Sequence, residues 1–159
     1  MHIRKSSLWK VPVFCVLAGI VAFYLMVFAG HFVLVTLPDG TITADVSRQF
    51  IVHGVIFVAA LLLGGLVFFR GMSRLEIFAS ASIVVAYGIL VTVIQGAFQL
   101  TTGPAIVVFM YLGRVFQWCG IVPQLLMKIN TNPWFCSILE AFVPYLFILF
   151  GQRDRKRAN

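Results

Sequence analysis

The chain has 159 residues, of which 61% are apolar and only 11% charged, with a formal net charge of +7. A water-soluble domain of this size carries roughly a quarter charged residues, so the 12 basic and 5 acidic residues here cannot coat a globule in water. The composition excludes an ordinary soluble fold, and the basic excess needs no nucleic acid, because it lies in short clusters between long apolar runs.

Those runs are 11–32, 50–69, 75–100, 104–126 and 133–150. Crossing ~30 Å of hydrocarbon takes about 20 helical residues, and lipid leaves no partner for unpaired backbone groups. Short alternating strands of a β-barrel are absent from the pattern. The reading is an all-α integral membrane protein, a bundle of four transmembrane helices plus one further apolar helix that is re-entrant, interfacial or a fifth span. No repeat or linker divides it, so residues 1–159 form a single transmembrane domain.

In chain order, the first segment is too long for a signal-peptide core and lacks a small-residue cleavage site, so it is expected to persist as an anchor. Pro38-Asp39-Gly40 is turn chemistry between Val33-Leu34-Val35-Thr36 and Thr41-Ile42-Thr43, two extended-preferring stretches, which predicts a short hairpin. Ser73 and Glu76 have the spacing of a capping box that opens the third segment. Asn132 before Pro133 places a capping side chain ahead of a first-turn proline and opens the last segment. Gly103-Pro104 is a weaker start for the fourth. Ala60, Gly64, Gly65, Gly88 and Gly96 would let helices approach closely.

Charge fixes the expected topology. With five crossings, six basic residues lie on the amino-terminal side and five opposite, which is no bias. If 104–126 enters and leaves on one side, both termini share the other. Nine basic residues (Arg4, Lys5, Lys10, Arg70, Arg74, Arg153, Arg155, Lys156, Arg157) then oppose Arg48 and Lys128. Cytoplasmic flanks collect Lys and Arg, so the expectation is four spans, a re-entrant or interfacial fourth segment, and a cytoplasmic amino terminus with the carboxyl terminus beside it. Five crossings remain the alternative.

The intramembrane polar residues are the candidate functional set, since each is costly in lipid. Arg114, Gln117, Gln124 and Lys128 fall on one helical face, as do Thr92, Gln95 and Gln99. With His31 and His53 near the same outer boundary, the residues His31, His53, Thr92, Gln95, Gln99, Gln117 and Gln124 form a candidate polar pocket, or each bonds a neighbouring helix or caps a helix end. Arg114 and Glu140 lie at matching depths, about 15 Å below one boundary, and are expected to pair as a register-fixing salt bridge or a gating pair. Trp9, Trp118 and Trp134 are expected at headgroup level.

Cys15, Cys119 and Cys136 have no metal-ligand spacing, and no motif for a cofactor or catalytic residue is readable. The expected partners are the bilayer and a membrane protein or second copy. The expected role is a non-enzymatic accessory or regulatory subunit, the alternative being a small-solute or ion permease with a polar pocket on the third and fourth segments.

Overall fold

A computed structural model describes residues 5–98 and 104–152 of the chain. Four of its helical stretches are long and apolar enough to cross a membrane: Lys10–Phe28, Val46–Phe68, Arg74–Ala97 and Pro133–Phe150. A shorter apolar stretch, Ile106–Cys119, is the fifth. Only 28–39% of the best window in each long stretch is buried, so most of the apolar side chains face outward.

Helix α1 (Lys10–Phe28) begins without a side-chain cap of its own. Pro12 sits harmlessly in its first turn, where an N–H would have no intrahelical partner. After Ala29 come the single turn α2 (Gly30–Val33) and the hairpin β1 (Leu34–Thr36) and β2 (Ile42–Ala44), which pair antiparallel with Leu34 opposite Ala44. Gly40 takes φ +83° at the turn, where a side chain would be strained. The Asp39 carboxylate accepts from the Thr41 amide (2.9 Å) and hydroxyl (2.7 Å). These bonds favour its charged form and hold it below the ordinary Asp range.

Asp45 caps helix α3 (Val46–Leu63) by accepting from the Ser47 and Arg48 amides at 2.9 and 3.0 Å. The helix thus starts four residues before the apolar run does. Its end widens into a π turn over Gly64–Phe68. The capping box forms as expected at α4 (Arg74–Ala97): Glu76 N donates to Ser73 Oγ at 3.2 Å and Ser73 N to Glu76 Oε2 at 3.1 Å. Asn132 likewise accepts from Trp134 N at 3.0 Å and opens α7 (Pro133–Ala141). Beyond Phe142 that span tightens into 3-10 geometry, Val143–Phe150, around Pro144, which cannot donate to the ladder.

The segment 104–126 is not one straight helix. It consists of α5 (Pro104–Gly113), a 3-10 stretch Arg114–Cys119, and α6 (Ile121–Leu126). Its contacts trace a path down into the bundle and back. Leu112 O accepts from Tyr87 Oη at 3.0 Å, and the Phe116 ring closes on Gly88, both well inside α4. Trp118 stacks on Phe57 in the middle of α3 (centroids 5.9 Å, planes 10°). Ile121 then lies against Gly54, Gln124 bonds His53, and Lys128 sits over the Phe50 ring. Falling residue numbers along α3 mean a return to the end where α3 begins.

The other contacts set the directions of the spans. Ser7 Oγ donates to Glu76, and Val11 N to Ser80 Oγ, so α1 and α4 start at one end. Arg74 N donates to Gln152 O at that end, while Trp134 packs on Gly96 at the other. Ser7 and Gln152 therefore lie together at one end, and the β-hairpin lies at the opposite one. The core is a cluster of rings and small aliphatics about Phe14, Phe69, Trp118 and Phe147, all 5% exposed or less.

Candidate functional site

Three polar groupings lie in or beside this core. The first is at the hairpin end. His53, 5% exposed, faces α6 from α3. Its Nδ1 is 2.9 Å from Gln49 O and 3.1 Å from Gln124 Nε2. A single ring nitrogen either donates to the carbonyl or accepts from the amide, so the Gln124 orientation sets the histidine tautomer. The opposite edge of the ring packs on Gly120, where an added Cβ would meet Cδ2 at 2.6 Å. Beside the pair is an open cavity of about 580 Å³, lined by Ser47, Gln49, Phe50, Gln124 and Lys128 among others. Two of the expected pocket residues, His53 and Gln124, are thus in direct contact.

The other pocket residues do not converge with them. His31 is exposed on α2, and Thr92, Gln95 and Gln117 are partly buried with no hydrogen bond to the His53–Gln124 pair. Gln99 lies outside the described residues. His31 and His53 lie on separate elements, and among the described residues no group of three or more His, Cys, Asp or Glu side chains is placed to hold a metal ion.

The second grouping is Arg114. The expected Arg114–Glu140 ion pair is not formed. The Arg114 guanidinium instead lies over two rings, its Cζ 3.9 Å from the Phe23 centroid and 4.0 Å from that of Tyr111. Matching depth in sequence does not make matching azimuth, and the 3-10 stretch beginning at Arg114 turns its side chain toward α1.

Glu140 belongs to the third grouping. Its Oε1 is 3.7 Å from Cys119 Sγ, and that thiol also lies 3.0 Å from Phe116 O. Trp118 is wholly buried beside Cys15 and Phe147. The expectation of Trp118 at headgroup level is therefore corrected. The tip of a segment that dips into the bundle lies in the core, not at the boundary of the apolar zone.

Sequence reasoning missed one polar network, at the end where Ser7 and Gln152 lie. Ser80 Oγ accepts from Val11 N (3.1 Å) and donates to Leu8 O (2.7 Å), so a residue of α4 caps α1. Ser7 Oγ donates to Glu76 Oε1 at 3.1 Å alongside it. The signal was present: Ser73, Glu76 and Ser80 share a face at offsets of 3 and 7. Comparison with protein families, with characterised proteins and with solved structures yields no match.

Proposed function

We propose that this chain is a polytopic integral membrane protein with four spans and a re-entrant segment 104–126. It acts as a non-enzymatic accessory subunit that packs against an apolar helix of a membrane partner. Four long apolar helices whose outward faces are apolar support the membrane setting; Phe28, Val46 and Leu149 are 74–78% exposed, a surface suited to lipid. The basic count supports a cytoplasmic location for both termini.

The observation that carries the accessory role is a groove between α1 and α3. It has a volume of about 220 Å³ and is lined almost wholly by apolar groups, among them Ala18, Ala22, Ala59, Ala60, Leu25 and Leu63. Small residues one turn apart let a third helix approach closely, which is how helices associate in lipid. The centre of the bundle, by contrast, is filled by the interleaved rings of Phe14, Phe57, Trp118 and Phe147, which disfavours a permeation path there.

The test is site-specific photocrosslinking in native membranes. A crosslinker at Leu25 should yield one discrete adduct with another membrane protein. Ala59→Phe, at an exposed position of the groove, should abolish it while leaving the protein folded. Adducts to lipid alone, or adducts unchanged by Ala59→Phe, would refute the accessory role. A permease is the second reading, favoured by the His53–Gln124 pair beside its cavity. It requires solute flux into proteoliposomes that falls on Gln124→Leu.

A further inference from the structure

Among the described residues Arg114 is held by aromatic rings and by no hydrogen-bond acceptor. The guanidinium carbon lies over the Phe23 and Tyr111 rings, 3.9 and 4.0 Å from their centroids. Among the described residues, none of its N–H donors bonds to an acceptor and no carboxylate pairs with it. The described carboxylates are engaged elsewhere: Asp39 with Thr41, Asp45 with Arg48 and the first turn of α3, Glu76 with Ser7 and Ser73, and Glu140 with Cys119. Two ring faces stabilise a cation but leave its hydrogen-bonding capacity unused.

The placement has a direction. The Arg114 carbonyl lies against Gly19, whereas the guanidinium lies over Phe23, one turn nearer the hairpin end. The side chain therefore snorkels outward along α1. Phe23 is five residues from Phe28, about 7.5 Å below the end of that helix. Tyr111 is 59% exposed and Arg114 partly so, so the guanidinium lies near the outer surface, beside α1 and α5. A planar fork of N–H donors with no acceptor among the described residues matches an oxyanion that offers two oxygens side by side.

We infer that Arg114, clamped by Phe23 and Tyr111, binds a phosphate oxyanion, supplied by an anionic lipid headgroup or by free phosphate. The lipid source rests on the membrane reading above; the oxyanion chemistry does not. A bound phosphate supplies the counter-charge that the protein withholds.

The experiment measures thermal unfolding of the full chain under three conditions: nanodiscs of phosphatidylcholine alone, nanodiscs containing phosphatidylglycerol, and detergent with or without inorganic phosphate. Phosphatidylglycerol should raise Tm by about 5 °C, the response to a ligand well above its Kd. Arg114→Gln should lose that rise, and Lys128→Gln, which removes the same charge from the surface, should keep it. Arg114→Lys keeps the charge without the fork and should retain at most part of the rise, which also covers the case of a Gln variant that does not fold. A rise with inorganic phosphate in detergent, lost in Arg114→Gln, assigns the site to free phosphate. Equal responses of wild type and Arg114→Gln in every arm, or equal losses in Arg114→Gln and Lys128→Gln, would overturn the inference. A chain that stays monomeric in water without detergent would overturn the membrane reading instead and leave the phosphate arm to decide the site.

Discussion

Arg114 and Glu140 show how the cost of burying a charge can be met without an ion pair. A guanidinium is weakly hydrated and planar, so two aromatic faces can replace much of its solvation. A carboxylate has no such option, and Glu140 sits partly exposed at the edge of the core with Cys119 as its polar neighbour. If the two do not interact, their contributions are independent. Arg114→Gln and Glu140→Gln should then change stability in detergent additively, within about 0.5 kcal/mol. A double variant that recovers most of the single losses would show that they pair after all. That both residues would need special accommodation was legible in the sequence. Their partners were not, because helical spacing gives depth and face along one element but not the rotation of one element against another.

At the scale of elements, start signals were the most legible feature. Ser73 with Glu76 and Asn132 with Pro133 act through bonds within four residues, and so does the Asp39–Gly40 turn. What escaped was capping between elements: α1 has no cap in its own sequence and borrows Ser80 from α4. Ser73→Ala should cost about 1 kcal/mol, a usual N-cap loss. Ser80→Ala orphans the Val11 amide in a buried setting and should cost about 1–3 kcal/mol. Thermal unfolding in detergent compares the two, and a smaller loss for Ser80→Ala would mean that the α1 start is solvated. Gly19 tests the other contact of α1. An added methyl would collide with the Arg114 carbonyl, a backbone atom with little room to yield. Gly19→Ala should therefore destabilise by at least about 1–3 kcal/mol, and a neutral result would mean that the dipping segment does not lie against α1.

For the whole molecule, the arrangement turns on segment 104–126. Its length permits a crossing, but the 3-10 stretch Arg114–Cys119 between Gly113 and Gly120 interrupts the α-helix, and the basic count gave the reason to expect no crossing. The structure turns it at Trp118–Cys119 and returns it to Phe50, leaving Ser7 and Gln152 at the same end. The basic count led to the expectation of a re-entrant segment, and what the contacts show is that Ser7 and Gln152 share one end of the bundle. The burial of Trp118 did not follow from composition, because an interfacial residue type can equally fill a core once a segment folds back. The most direct test is thiol labelling in intact cells, with single cysteines placed at Ser6, Asp39, Asn130 and Gln152 in a chain whose native cysteines are replaced. An impermeant reagent should label Asp39 and Asn130 and spare Ser6 and Gln152, with all four labelling after permeabilisation. Labelling of Gln152 in intact cells while Ser6 stays protected would mean a fifth crossing and contradict the account.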